Sequence, residues 1–299
     1  MSAPLGVLGI GVVTVDDLIF VDHYPPANTK IPVKQELRVS GGLVGTALAA
    51  AARMGVRAAY CGSLGEDDLS AFVEREFEQD GVDCTHILHR PGPSPIHAII
   101  VVDQSNAQRT IFFTLNTSFI PEPGQALAAL IASCRVLMID HSSGTCGIWA
   151  AETARALGIP VLADLENEQA AHIDGLLEAP DHLIVGTDFG ARVSGETQPI
   201  QMVRALARPW RACCAVTAGE LGCWYSQFGG PVQHAPALEV RSVDTTGCGD
   251  VFHGVYAASL SEGHPVEQAI RLATIAAGLK ATRSGGRRAI PSREEVFKS

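Results

Sequence analysis

The segment Thr246-Gly247-Cys248-Gly249-Asp250 combines residue types that could handle a phosphoryl group. Glycines at positions 247 and 249 let backbone N–H groups approach one point without interference from Cβ atoms. The residues that follow have helical spacing, and a helix N-terminus adds positive potential at the same point. We therefore predict an anion hole formed by Gly247, Cys248 and Gly249.

Asp250 lies in the first turn of that predicted helix, within reach of an anion held at its N-terminus. In phosphoryl transfer a protein mainly positions groups and stabilises charge, and one carboxylate commonly accepts the proton of the attacking hydroxyl. Asp250 is our candidate for that general base. The alternative interpretation is that its carboxylate only caps the helix.

Four apolar, strand-like segments alternate with stretches of helical spacing in the second half of the chain. They cover residues 136–140, 160–164, 182–185 and 213–217. Such alternation indicates a parallel sheet with helices on both faces. An apolar run over residues 5–15 predicts a further buried strand. The predicted fold class is therefore α/β, with a central, mostly parallel sheet flanked by helices.

A second, smaller sheet is predicted from segments 12–40 and 95–116. The first segment is strand-forming sequence broken by Pro25, Pro26 and Pro32, and the second contains two strand patterns around a polar turn. No linker or shift in composition divides the chain. We therefore predict that residues 1–299 form a single domain, with the smaller sheet inserted into the α/β core as a lid.

The composition argues against several classes of partner. The 299 residues carry a formal net charge of −10, which disfavours nucleic-acid binding because phosphate backbones require a basic surface. No apolar run approaches the length of a membrane span, which needs about 20 residues. The eight cysteines show neither Cys-x-x-Cys nor zinc-ligand spacing, which indicates reduced thiols. We expect a cytoplasmic protein without nucleic-acid or membrane partners.

Several motifs resemble those of the ribokinase family, also named the PfkB carbohydrate kinases. The sequence DTTGCGD at 244–250 is similar to the second signature of that family. Ser-Gly-Gly at 40–42, followed by an alanine-rich helix pattern, resembles its Gly-Gly segment, and 215–222 resembles its nucleotide-side strand and turn. Within the family, 243–254 and 282–287 look most like ketohexokinase-like and sulfofructose kinase-like members.

The resemblance implies a sugar site between the α/β core and the lid. The residues that match the sugar-binding positions of the family, and would hold sugar hydroxyls, are Asp16, Gly41 and Gly42. Thr46 stands where the family usually has asparagine, and a hydroxyl can replace an amide as a sugar contact with fewer hydrogen bonds. Arg109 lies on a predicted lid strand and could reach the far end of the sugar. The alternative for Arg109 is an ordinary surface arginine.

The resemblance also implies ATP and Mg²⁺ as cofactors. The family holds magnesium and phosphate with an Asn-x-x-Glu motif, which aligns here with Gly186 and Phe189. Neither residue can ligate a cation, so we expect Mg²⁺ to arrive with ATP. The residues expected to bind ATP are Thr217, Gly219, Gly222, Thr246, Gly247 and Gly249.

A monovalent cation, K⁺, is a further expectation from the resemblance. In the family, the residue at the position of Asp244 and the loop near Ser284 and Gly286 flank a cation that shapes the anion hole. Backbone carbonyls there would supply hard oxygen ligands. The alternative is that these residues only brace the loop.

The predicted function is an ATP-dependent kinase acting on a hydroxyl of a small, ketose-like sugar, in a homodimer that associates through the lid. A nucleoside kinase of the same family is one alternative. A sugar- or nucleotide-binding protein without catalytic activity is the other, and the missing Asn-x-x-Glu motif is its only support. The sequence does not name the sugar.

Overall fold

The computed structural model describes residues 4–92, 94–105, 108–114 and 120–299. None of the helices in these ranges combines the length and apolar character needed to cross a bilayer. The strands are β1 Leu5–Ile10, β2 Thr14–Val21, β3 Gln35–Gly41, β4 Ala58–Tyr60, β5 Gly62–Leu64, β6 Ile87–His89, β7 Ile96–Asp103, β8 Gln108–Phe113, β9 Cys134–Asp140, β10 Val161–Asp164, β11 His182–Gly186, β12 Cys213–Thr217, β13 Cys223–Ser226 and β14 Gln233–Ala235. The α-helices are α1 Leu43–Arg53, α2 Asp68–Asp80, α3 Gln125–Ile131, α4 Gly144–Ala156, α5 Ile173–Glu178, α6 Thr187–Ser194, α7 Pro199–Leu206, α8 Cys248–Ser261, α9 Val266–Ala281 and α10 Arg293–Lys298.

The larger sheet in the described part of the chain has eight strands, in the order β14-β13-β12-β11-β10-β9-β1-β4. The six strands from β12 to β4 run parallel, whereas β13 and β14 add an antiparallel edge. Every residue of β1 and β10 is buried, as expected for strands covered by helices on both faces. The predicted α/β class with a mostly parallel central sheet is therefore confirmed.

A smaller sheet of four strands, among the residues described, has the order β3-β2-β7-β8. Strand β2 pairs antiparallel with β3 and parallel with β7, and β8 forms the edge beside β7. These strands lie in the two segments that the sequence assigns to a lid. Residues 106, 107, 115 and 116 of that prediction lie outside the described residues.

The strand predicted over residues 5–15 is interrupted, because residues 11–13 carry the chain from the larger sheet to the smaller one. The reason lies in Asp140, at the end of β9. Its Oδ2 accepts the N–H of Val12 at 2.6 Å and fills the space that a Cβ at residue 11 would need. Asp16 therefore belongs to the smaller sheet and does not end the first strand.

Helix α8 packs on the middle of the larger sheet, with α1 and α9 beside it. A Cβ on residue 254 of α8 would overlap with the carbonyl oxygen of Ala47 on α1, so the close approach of these helices requires Gly254. Apolar side chains of all three helices, including Val44, Val251 and Ile270, are fully buried in one cluster. This packing holds the first turn of α8 next to α1.

Candidate active site

The predicted anion hole lies at the N-terminal end of α8. Gly247, with a φ of 76°, precedes the first helical residue, Cys248, and its carbonyl accepts the N–H of Val251 at 3.0 Å. The first N–H groups of a helix have no partner within the helix. The Cys248 N–H donates to the Thr245 carbonyl at 3.2 Å, so the N–H groups of Gly247 and Gly249 are the ones available to an anion. Burial raises the pKa of the Cys248 thiol to about 11, so this residue does not offer a thiolate.

Asp250 and Thr46 come together around Gly247, although they belong to different helices. A Cβ on residue 247 would lie 3.8 Å from Asp250 Oδ2 and 3.8 Å from Thr46 Cγ2. Asp250 is half-buried, and Thr46 is buried. The structure thus brings the predicted base, the predicted anion hole and one predicted sugar-binding residue into one small volume.

The Asp250 carboxyl lies among other acidic groups. Burial is the main cause that raises its pKa well above the ordinary value, and the neighbouring Asp164 and Glu166 raise it further. The buried guanidinium of Arg287 acts in the opposite direction. Once ionised, a carboxylate with a raised pKa is a stronger base toward an incoming hydroxyl.

Asp16 lies on β2, beside the end of β3. A Cβ on residue 41 would lie 2.6 Å from both Asp16 Oδ2 and Thr14 Oγ1, so Gly41 leaves these oxygen atoms uncovered. Arg287 donates from Nη2 to the Gly41 carbonyl at 2.9 Å. Burial raises the pKa of Asp16, while the Thr14 hydroxyl and Arg287 lower it. Together these groups form a polar surface suited to the hydroxyls of a sugar.

Gly42 joins the smaller sheet to α1. Its φ is 89°, and a Cβ at this position would overlap with the carbonyl oxygen of Val12. Any other residue would therefore suffer both backbone strain and a clash. The path of the chain requires this glycine, irrespective of a ligand beside it.

Arg109 extends from β8 to the segment before α8. Its Nη1 donates to Thr246 Oγ1 at 2.8 Å. The sequence predicts either that Arg109 reaches the far end of a sugar or that it is an ordinary surface arginine, whereas the structure places its guanidinium at the residue preceding the predicted anion hole. The smaller sheet thus contacts the segment that precedes the predicted anion hole.

A cavity of about 480 Å³ borders the first turn of α8. This volume falls within the usual range of small-molecule sites. Thr246 and Gly247 do not line it, although both were predicted to hold ATP; Thr245 and Cys248 line it instead. The predicted residues that do line it are Thr217, Gly219, Gly222 and Gly249.

One face of α9 forms a wall of this cavity that the sequence analysis missed. Small residues recur on this face at helical spacing, and this pattern in the sequence could have indicated a helix face that lines a cavity. A Cβ on residue 278 would lie 2.8 Å from Leu238 Cβ, so glycine lets the loop after β14 lie close to the helix. The residues on this face are Thr274, Ala277, Gly278 and Ala281.

The residues predicted to hold K⁺ do not present an open site. Lys280 Nζ lies 3.1 Å from the carbonyl oxygen of Asp244 and 3.4 Å from its Oδ2. Ser284 is exposed, and Gly286 lies against Val39 of the smaller sheet. An ammonium of the chain itself therefore lies beside Asp244.

A second cavity, of about 310 Å³, lies where the Asn-x-x-Glu motif was expected. Gly186 and Phe189 line it, together with the acidic residues Glu166 and Asp188 and the basic residue Arg192. Among the described residues, no group of three or more His, Cys, Asp or Glu side chains is arranged to hold a metal ion. The protein therefore offers acidic oxygen atoms at this place, but no complete metal cage of its own.

His253 and Asp164 form a buried pair behind the anion hole, which the sequence analysis missed. The His253 ring nitrogens lie 2.8 Å from the Gly249 carbonyl oxygen and 3.0 Å from that of Ile184. Asp164 Oδ2 lies 3.2 Å from Nδ1. Burial lowers the pKa of His253 and raises that of Asp164, while the two carbonyl acceptors favour a proton on each ring nitrogen. Burial therefore favours the neutral form of each of the two groups.

Comparison with known proteins identifies the class. The model of the pfkB family of carbohydrate kinases matches residues 10–293. Ribokinase of Haemophilus influenzae is 24% identical over 296 residues, covering 96% of each chain. A candidate ribokinase from Agrobacterium tumefaciens superposes with a TM-score of 0.90 at 28% identity, over 99% of this chain and 97% of the other. Arabidopsis thaliana ribokinase, solved with ribose and ATP, superposes with a TM-score of 0.87 at 22% identity, over 99% and 98%.

The fold and the site together define a ribokinase-like phosphotransferase with an alcohol acceptor. This chain belongs to the pfkB family of carbohydrate kinases. The family predicted from the motifs is therefore confirmed. The likeness to ketohexokinase-like and sulfofructose kinase-like members stays a prediction.

Proposed function

We propose that this protein transfers the γ-phosphoryl group of ATP to a hydroxyl of a small, ketose-like sugar, with Asp250 as the general base. The main support for the proposal is that Asp250 and Thr46 both lie close to Gly247, at the first turn of α8. A hydroxyl bound there lies between a base and an anion hole. Phosphoryl transfer needs both groups in this relative position.

In this proposal the oxygen of the sugar hydroxyl attacks the γ-phosphorus of ATP. Asp250 accepts the proton of that hydroxyl, and ADP leaves. The backbone N–H groups of Gly247 and Gly249 stabilise the charge that develops on the transferred group, while that of Cys248 holds the turn by donating to the Thr245 carbonyl. Asp16 orients the sugar through other hydroxyls, because a carboxylate accepts strong hydrogen bonds. The smaller sheet acts as a lid that excludes water, which would otherwise compete as the acceptor.

ATP is proposed to occupy the cavity of about 480 Å³, because that cavity leads to the first turn of α8. Thr217 and Gly219 line its end at β12, and the small residues of α9 leave room for a flat base. Mg²⁺ would arrive bound to the phosphates of ATP and neutralise part of their charge. Asp188 offers a carboxylate in the adjoining cavity.

A homodimer through the smaller sheet is a further part of the proposal. Large apolar side chains are exposed on its two last strands: Ile99 is 40% exposed, Ile111 46%, Phe112 54% and Phe113 59%. Ile99 lies opposite Phe112 in the pairing of β7 with β8, so these two share one face of the sheet, whereas Ile111 and Phe113 lie on the other face. Clusters of exposed apolar side chains commonly mark an interaction surface. Since β8 is an edge strand, a second copy of the same sheet is the partner that we propose.

Ribose is a second candidate acceptor, because the Arabidopsis relative was solved with ribose and ATP. The deciding experiment measures ADP formation with fructose, other ketoses, ribose and adenosine, at matched concentrations, for the wild type and for Asp250→Asn. Phosphorylation of a ketose above all others supports the proposal. Preference for ribose or adenosine would reassign the substrate. Absence of ADP formation with the whole panel would favour a binding protein without catalytic activity.

A further inference from the structure

Lys280 stands in the last turn of α9 with its side chain 1% exposed. Its ammonium contacts the carbonyl oxygen of Asp244 at 3.1 Å and the Asp244 carboxylate at 3.4 Å. A lysine is rarely so deeply buried without a partner, because removing its charge from water is costly. The C-terminal end of a helix also favours a cation. Asp244 and the end of α9 are thus the groups that keep this ammonium inside the protein.

The same contact supports the segment that leads into the anion hole. The second oxygen of the Asp244 carboxylate accepts the N–H of Thr246 at 2.9 Å. The N–H groups of Val243 and Asp244 donate to the Ala281 carbonyl at 2.7 and 3.1 Å. Lys280, Asp244 and Ala281 therefore link the end of α9 to the residues immediately before Gly247.

A free K⁺ ion does not fit beside this ammonium. Potassium would need oxygen atoms of Asp244, and two of them already contact Lys280 Nζ. A second monovalent cation at the same oxygen atoms would be repelled by the first. The structure therefore disagrees with the cation site that the family resemblance implied.

We propose that the Lys280 ammonium is a built-in cation that replaces a potassium ion and shapes the loop before the anion hole. The enzyme should then need no monovalent cation for stability or for catalysis. The part of this inference that concerns catalysis rests on the proposed kinase function, whereas the part that concerns stability does not.

The first test compares the wild type in KCl and in tetramethylammonium chloride at equal ionic strength. Two quantities are measured: Tm without substrates, and kcat with the best sugar of the panel. We expect Tm to agree within about 1 °C and kcat within about twofold. A rise in Tm of more than about 3 °C in KCl, or an activation of more than about fivefold, would overturn the proposal.

The second test uses three variants. Lys280→Ala removes the ammonium and leaves space, Lys280→Met removes the charge but keeps most of the volume, and Arg271→Ala removes an exposed charge from the same helix. In tetramethylammonium, Lys280→Ala and Lys280→Met should lose at least about tenfold in kcat, because the anion hole loses its support. In KCl, Lys280→Ala should regain most of the loss and Lys280→Met should not. Arg271→Ala should match the wild type in both salts.

A Lys280→Ala protein that is as active as the wild type in tetramethylammonium would contradict the proposal. If that variant does not fold in tetramethylammonium but folds in KCl, the difference in Tm supports the same conclusion. If no sugar in the panel is phosphorylated, the proposed function fails, while the Tm comparison of the wild type in the two salts still tests the built-in cation.

Discussion

Arg109 Nη1 lies 2.8 Å from Thr246 Oγ1, although 137 positions separate the two residues in the chain. This hydrogen bond joins the edge strand of the smaller sheet to the residue before the anion hole. A guanidinium at this place can contact a phosphoryl group as well as a hydroxyl, because it has several N–H donors. The position of the smaller sheet is thus linked to the predicted anion hole.

Arg109→Ala should lower kcat/KM for the sugar by about 10- to 100-fold, because a charged donor near the transferred phosphoryl group is lost. Tm should change little, since the side chain is exposed. Steady-state kinetics and thermal unfolding check both points. Lys34→Ala, another exposed cation of the same sheet region, is the control. Arg109→Ala kinetics equal to those of the control would show that Arg109 is an ordinary surface residue.

Asp250→Asn should lower kcat by about 10²–10⁴-fold, because the amide cannot accept the proton of the attacking hydroxyl. The near-identical shape should preserve the fold and the affinity for ATP. Single-turnover kinetics and calorimetric titration with ATP measure the two effects separately. Asp174→Asn, at an exposed site on α5, serves as the control. An Asp250→Asn enzyme with more than about half the wild-type kcat would exclude general-base catalysis by this residue.

The rate should fall on acidification at a higher pH than for an ordinary aspartate. Asp250 must lose its proton to act as a base, and burial followed by Asp164 and Glu166 raises its pKa. Asp140 acts in the same direction and Arg287 in the opposite one. Glu166→Gln removes a negative charge at an exposed position, so it should move the acidic limb of the profile to lower pH.

The measurement for this third prediction is the pH profile of kcat/KM for the sugar, which reports groups of the free enzyme. Glu168→Gln is the matched control, because Glu168 lies two residues further along the chain and is paired with Arg192. Superimposable acidic limbs for Glu166→Gln and the wild type would argue against Asp250 as the group that titrates.

His253→Ala should destabilise the protein by about 3–5 kcal/mol, because it removes a buried ring and leaves Asp164 without that contact. The variant also loses the contacts of the ring with the Gly249 and Ile184 carbonyls. Urea unfolding measures the change. In the double variant His253→Ala/Asp164→Ala, part of the stability should return, since the buried polar group without a partner is removed as well. Equal losses in the single and double variants would show that the pair is not coupled.

Replacing Phe112 and Phe113 by serine should shift the protein from dimer to monomer if the smaller sheet is the interface. Both side chains are more than half exposed in the single chain, so the substitutions should not unfold it. Light scattering coupled to size-exclusion chromatography gives the mass. Leu157→Ser, at an exposed apolar residue after α4, is the control. A wild type that is monomeric at micromolar concentration would contradict the proposed dimer.

Local sequence determined the part of the site that lies within one turn of helix. Gly247, Cys248, Gly249 and Asp250 are neighbours in the chain, so the conformation of a single helix N-terminus decides their geometry. The strand–helix alternation likewise determined the α/β class, because parallel strands need crossover helices and bury both faces. The interruption after β1 was missed, because the apolar pattern continues through the residues where Asp140 redirects the chain.

Only the tertiary structure decided which distant side chains reach the site. Arg109 meets Thr246 through the docking of the smaller sheet, and Lys280 meets Asp244 because α9 ends beside the loop before α8. His253 on α8 contacts Asp164, the last residue of β10. Each of these contacts depends on the packing of separate elements, and a side chain's residue type does not reveal which partner the packing brings within a few ångströms. The sequence by itself thus predicted an anion hole and a base on one helix N-terminus, and the packing decided which charges surround them.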